Sequence, residues 1–266
     1  MKTGIFTWFG YILPFDEKLR LIKEAGFDAV CVWWGNEFAE SDGSRISQME
    51  AALKAGLDVD NGHLPYYGCD KLYYSSLDGE ERFGFYRESI AQAGRAGLDR
   101  LVMHPFELSM PADGNIDFFV ARLNTLIEEG ARSDVAICLE NLPDMDSFHR
   151  IVQKADGRLR ICYDSGHNHK DCGDDLSFLD RYRSRIAAVH LHDNDTSSDS
   201  HLIPGEGTIR WDEVRDALAL TSYDRSMMLE CALPYDQEND RPEKDIKPEE
   251  YLREAIASLH KYFGRE

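Results

Sequence analysis

The sequence predicts a closed (β/α)8 barrel, built as one domain over residues 1–266. Three observations carry that reading. Apolar strand-like runs alternate with amphipathic helical stretches eight times, the signature of parallel strands joined by helical crossovers. The pattern Ala-Gly-Phe/Leu-Asp recurs at 25–28, 55–58 and 96–99; each time Gly falls just past a helix, where a left-handed cap is wanted, and a strand follows. The chain has 266 residues, the usual size of an eight-unit barrel, and no Ser/Pro-rich linker or shift in composition divides it. An open doubly wound sheet is the main rival. It would carry a Gly-rich phosphate loop after its first strand, and the run Trp8-Phe9-Gly10-Tyr11 is not one.

In chain order, residues 3–9 read as strand one and 16–25 as its helix. Strand two is 27–34 with helix 44–55; strand three is 57–63, followed by a loop and helix 79–96. Strand four is 100–104 with helix 116–131, strand five 135–140 with helix 144–155, and strand six 159–164 with helix 174–182. Strand seven is 186–192 with helix 211–220, and strand eight 226–230 with helix 248–263. The seventh strand is the most informative. Ile186, Ala187, Ala188 and Val189 form a run fit for burial on both faces. It ends in His190, Leu191 and His192, so the two imidazoles share a face.

Composition narrows the function. Hydrophobic residues make up 42% of the chain, enough for a sizeable core, and no apolar run is long enough to span a bilayer. The first fifteen residues lack the basic region, long apolar region and cleavage site of a secretory signal. None of the six cysteines forms a CxxC pair, and Cys31, Cys138 and Cys162 fall in strands with Cys231 directly after one, so reduced thiols in a cytoplasmic protein are expected. The formal net charge of −19 opposes binding to nucleic acid, which rests on Lys and Arg at phosphates, and to anionic membranes.

In a parallel barrel the chemistry sits where strands end at the C-terminal face. Those ends hold His63, His104, Glu140, Asp164, His190 and Glu230. His167 lies one short turn after Asp164, and Asp199 and His201 lie in the loop after strand seven. Carboxylates and imidazoles gathered at one face suit a divalent cation, Zn²⁺ or Mn²⁺ first, with Mg²⁺ or Co²⁺ as alternatives. His192 and Asp193 are expected to orient the ligands from behind. Trp8, Trp33 and Trp34, with Phe9, Tyr66 and Tyr67 nearby, are candidates for a pocket wall on which a sugar ring stacks. His149, His169 and His260 read as surface residues, and Arg210 as a solvated helix start.

The ordered set Asn61-Gly62-His63, His104-Pro105, Glu140-Asn141, Asp164-Ser165-Gly166-His167, His190-Leu191-His192-Asp193, Asp199-Ser200-His201 with Gly205-Glu206-Gly207, and Leu229-Glu230 resembles the xylose isomerase-like barrel superfamily. That superfamily contains sugar isomerases and epimerases and the endonuclease IV-type repair enzymes. The resemblance spans the chain. It implies a metal site of Glu140, Asp164, His190 and Glu230, with His167 at the substrate, as in ketose epimerases. It also implies that His63, His104, His167, Asp199 and His201 match positions that complete a three-zinc cluster in the repair enzymes. The sequence departs from the latter in an acidic segment at 35–42, where a DNA-binding loop would be basic, and in a shorter loop at 190–199.

The expected activity is therefore a metal-dependent isomerisation or epimerisation of a sugar or sugar phosphate. A proton next to a carbonyl would be removed and returned by Glu140 and Glu230, with the enediolate stabilised by the ion. A zinc phosphodiesterase of the endonuclease IV type and a keto-polyol dehydratase are the alternatives. The expected partner is a small sugar, with no nucleic acid and no membrane; a homo-oligomer is left open.

Overall fold

The computed structural model describes residues 2–236, 241–242 and 244–264. Eight parallel strands form one sheet: β1 (Thr3–Phe6), β2 (Ala29–Trp33), β3 (Asp58–His63), β4 (Arg100–Met103), β5 (Ala136–Glu140), β6 (Arg160–Asp164), β7 (Ile186–His190) and β8 (Met227–Leu229). Consecutive strands pair from β1 to β7, and β8 pairs with β1. The ring is completed where Leu191 bridges Leu229, with the Leu191 amide donating to the Met228 carbonyl at 2.8 Å and the Glu230 amide to the Leu191 carbonyl at 3.0 Å. The expected barrel is therefore the observed one.

Helices cover the outside: α1 (Phe15–Ala25), α2 (Ala39–Asp42), α3 (Arg45–Lys54), α4 (Leu77–Ala96), α5 (Ile116–Arg132), α6 (Met145–Lys154), α7 (Ser165–Cys172), α8 (Ser177–Tyr182), α9 (Trp211–Ala219) and α10 (Pro248–Phe263). A 3₁₀ turn spans Cys69–Tyr73, and a short hairpin pairs β9 (Tyr235–Asp236) with β10 (Arg241–Pro242). The repeated Gly punctuation behaves as expected. Gly26 and Gly97 cap α1 and α4 at φ 104° and 81°, values an L side chain resists. Side chains cap the other ends: Ser44, Ser76 and Asn115 each accept an amide three residues on. No helix among the described residues is long and apolar enough to cross a membrane.

The apolar interior divides in two. The large core lies between sheet and helices. A small cluster of Val102, Cys138, Cys162 and Ala188, one residue from each of β4–β7, fills the barrel's centre. This inner layer fixes where the chemistry goes. Side chains alternate along a strand, so residues two positions further on also point inward. Those residues are His104, Glu140, Asp164 and His190. Two positions earlier, Arg100 closes the opposite end, donating to the Ala187 carbonyl at 2.5 Å. The cysteines are free, with Cys172 exposed and the other five buried.

Candidate metal and active site

The inward residues meet above the apolar layer. Glu140 is fully buried, and its Oε2 lies 3.3 Å from His63 Nε2, 3.5 Å from His104 Nε2 and 3.2 Å from His190 Nδ1. Glu230 arrives from the end of β8, and its Oε2 is 3.1 Å from the same His190 nitrogen. The two carboxylates thus reach one ring nitrogen from β5 and β8. Asp164 ends β6 and caps α7, accepting the His167 amide at 2.6 Å. Asn141 straps it from β5, accepting the Asp164 amide at 2.8 Å and donating to its carbonyl at 2.9 Å. His167 Nε2 then reaches Asp199 at 3.2 Å, and Asp199 reaches His201 Nε2 at 3.2 Å.

Of the sequence candidates, His63, His104, Glu140, Asp164, His167, His190, Asp199, His201 and Glu230 all come together. Within the cluster, sets such as His63/His104/Glu140, His63/His190/Glu230 and Asp164/His167/His192 have donor atoms close enough to share one ion. The chemistry of the donors fits such an ion. Both oxygens of Glu140, both ring nitrogens of His190 and Nδ1 of His104 are buried without a hydrogen bond. Glu140 Oε2 and His190 Nδ1 lie 3.2 Å apart, yet make no hydrogen bond. Buried polar atoms are rarely left so; donors that share a cation are arranged this way.

Electrostatics bind the cluster together. Burial alone would raise the Glu140 carboxyl, but His190 and His104 overcome it and hold it well below the usual carboxylate range. Glu230 is likewise pushed up by burial and pulled further down by His190, to about 2. Burial opposes charge on His167 and His190, but Asp164, Asp199 and Glu140 raise the first, and Cys162 followed by Glu230 and Glu140 raises the second, both well above the ordinary imidazole value. His201 reaches about 9, because Asp199 outweighs its burial. Burial pushes His104 down.

A cavity of about 820 Å³ opens over this cluster. Phe6, Trp8, Trp33 and Tyr66 form one side, and Lys170, Ser198 and Ser200 lie on its lining too. Trp33 stacks on His63 with centroids 5.6 Å apart, and Tyr66 on His104 at 4.9 Å. Trp34 does not line the cavity. It follows Trp33 on the strand, so it points to the helix layer, where it is fully buried and donates to the Ser89 carbonyl at 3.0 Å. Phe9 is buried in the core as well.

Other expectations need correction. His169 is buried, not on the surface: its ring meets the Gly173 carbonyl and the Thr208 hydroxyl. His149 is half-buried, 2.8 Å from the Tyr182 hydroxyl. His260 is exposed as expected, and Arg210 is an exposed helix start, paired there with Asp174 and Glu213. His192 is buried against Asp164, with Nε2 3.0 Å from its carboxylate. Asp193 instead ties the loop after β7, accepting from the amides of Asn194, Gly205 and Ile209 and from Trp211 Nε1. The sequence reading missed Lys170 because it missed α7. The signal was there in Asp164 as a cap, with His167 and Lys170 one turn apart.

A family model described as a xylose isomerase-like TIM barrel matches residues 19–262. An uncharacterised protein, y4fM of Sinorhizobium fredii, is 40% identical, and the match covers 79% of each chain. Fructoselysine 3-epimerase of Escherichia coli O157:H7 is 24% identical, with 96% of each chain covered. D-psicose 3-epimerase of Clostridium cellulolyticum H10 superposes with a TM-score of 0.79 over 100% of both chains at 17% identity. L-ribulose 3-epimerase does so with a TM-score of 0.80, over 99% of this chain and 95% of its own, at 14% identity.

Proposed function

The chain belongs to the xylose isomerase-like TIM-barrel family, and on that premise we propose that it is a divalent-metal-dependent isomerase or epimerase acting next to the carbonyl of a ketose or ketose derivative. One observation carries the proposal: Glu140 and Glu230 converge from β5 and β8 on His190, at the floor of an aromatic-walled cavity. The 3-epimerases among its relatives and structural neighbours agree with it.

Glu140, Asp164, His190 and Glu230 would hold the ion, Zn²⁺ or Mn²⁺ by the carboxylate and imidazole donors, with His63, His104, His167, Asp199 and His201 as further donors. When bound, such an ion polarises the carbonyl and acidifies the adjacent C–H. The protein's own groups do the rest. Glu140 and Glu230 are held ionised, so one can take the proton while the other returns it from a different side. Where His167 is not a metal donor, its raised pKa keeps it protonated and it can donate to a substrate oxygen. Trp33 and Tyr66 wall the cavity and limit water.

The test uses Glu140→Gln and Glu230→Gln with metal content measured in the same samples. Glutamine still offers an oxygen but takes up no proton at neutral pH. Each change should lower turnover by roughly 10²–10⁴-fold. Wild-type protein in deuterium oxide should wash solvent deuterium into a ketose. A metal-replete protein that exchanges no hydrogen and interconverts no sugar in a broad panel would end the proposal. The convergence of nine donors favours a second reading, a zinc phosphodiesterase, for which two or three ions per chain and cleavage of a phosphate diester are the expected results.

A further inference from the structure

We propose that the substrate carries an anionic group, a phosphate or a carboxylate, at the end remote from the donor cluster, and that Lys170 binds it. The proposal rests on the isomerase reading and narrows its substrate class. The cavity extends from the buried cluster to exposed residues at its rim, among them Lys170, Ser198 and Leu108. Among the described residues, Lys170 is the one lysine or arginine on this cavity's lining.

Its position follows from α7. Asp164 caps the helix, His167 turns toward the cluster, and Lys170 follows three residues later on the same face. Its neighbours are committed elsewhere: His169 to Gly173 and Thr208, Asp171 to the Met145 amide. Although 49 residues are acidic, Lys170 has no hydrogen-bond or ion-pair partner among the described residues, whereas nearby Arg210 is held by two carboxylates. On the same lining, Ser198 and Ser200 have hydroxyl oxygens 2.7 Å apart; one donates to the other, which leaves one O–H free for a ligand. The remainder of the lining includes Glu107, Glu140, Asp199 and Glu230. The imidazoles on the lining belong to the donor cluster; away from it, Glu107 would repel an anionic tail and Lys170 would attract one. A neutral tail would need the hydroxyls and aromatic rings but no ammonium.

The test is calorimetric binding to the manganese-loaded protein of three ligands that cannot be enolised: a hexitol, the matching hexitol phosphate and the matching hexonate. Their affinities are read as ratios of anionic to neutral ligand. In wild-type protein at least one ratio should be about fivefold or more, the strength of a solvent-facing ion pair, and should shrink with added salt. Lys170→Met keeps the apolar stem and removes the charge, so the ratio should fall to about one; Lys170→Arg should keep it. Which analogue shows the ratio tells phosphate from carboxylate. Ratios near one in wild type, or ratios unchanged in Lys170→Met, would overturn the proposal. Because none of these ligands reacts, a failure of deuterium exchange would sink the isomerase reading without touching this measurement.

Discussion

Residues around the cluster are shaped to one another closely enough that single atoms matter. His192 is fully buried, with its ring stacked on His201 at 4.0 Å and Nε2 on the Asp164 carboxylate. It lies so tightly on Gly166 that a Cβ there would meet His192 Cε1 at 2.0 Å. Gly166→Ala should therefore expel the ring. The overpacking should cost about 1–3 kcal/mol of stability, and loss of support behind Asp164 should weaken divalent-metal affinity by roughly 10- to 100-fold. Gly157→Ala is the control, since a Cβ there meets nothing within 4 Å. Denaturant unfolding and metal titration read the two effects; equal behaviour of the two variants would refute the account. A second expectation concerns protons. His201 has its pKa raised to about 9 by Asp199, so at pH 7 the ion-free protein carries that proton. A metal takes only the neutral imidazole, so loading must release protons. Affinity should rise as pH climbs from about 6.5 to 9 and level off above. Calorimetry in buffers of different ionisation enthalpy measures the release, and a flat affinity over that range would count against His201 as a ligand.

Elements deliver these residues, and two loops decide how well. The segment after β7 carries both Asp199 and His201, and Asp193 fastens it with four accepted hydrogen bonds while itself fully buried. Asp193→Ala would strand four donors, each costing about 1–3 kcal/mol if left unpaired. A stability loss of at least about 3 kcal/mol is expected, together with poorer metal retention, since the loop's two donors lose their anchor. Unfolding curves and metal analysis of Asp193→Ala against wild type check this. The eight strands and their helices were legible in the sequence because buried parallel strands read as apolar runs and Gly marks the helix ends. The inward placement of His104, Glu140, Asp164 and His190 was legible for the same reason: the pleat sets residues two beyond an inner-layer residue over the barrel axis. Helix α7 was not, because Ser165-Gly166-His167-Asn168 has weak helical preference and is held by the Asp164 cap and tertiary packing. The side of the sheet taken by Trp34 was not legible either. Two adjacent tryptophans look alike in sequence, and only the register of β2 sends one to the cavity and the other to Ser89.

At the scale of the whole molecule, charge discriminates between the two chemistries that such a donor cluster can serve. The chain carries 30 basic against 49 acidic residues, a net charge of −19. A duplex-binding enzyme gains most of its non-specific affinity from Lys and Arg neutralising phosphates. Among the described residues, the lining of the mouth includes Glu107, Asp199 and Glu230 against one lysine, and the segment after β2 contains Glu37, Glu40 and Asp42. In that segment Glu37 accepts from Trp33 Nε1 at 3.0 Å and Asp42 pairs with the buried Lys18 at 2.9 Å, so even its nearby cation is already neutralised. The field at the mouth should repel a phosphate backbone, and the repulsion extends about a Debye length, roughly 8 Å at physiological ionic strength. Duplex DNA, with or without an abasic site, should therefore show no measurable binding at physiological salt, by anisotropy up to micromolar protein. Lowering the salt should not produce binding, because the long-range force has the wrong sign. A single small anion escapes this argument, since it needs only the local field of Lys170 and not a surface tens of ångströms long. Tight, salt-sensitive binding to abasic DNA would reverse the conclusion and make the phosphodiesterase the better reading of the same nine donors.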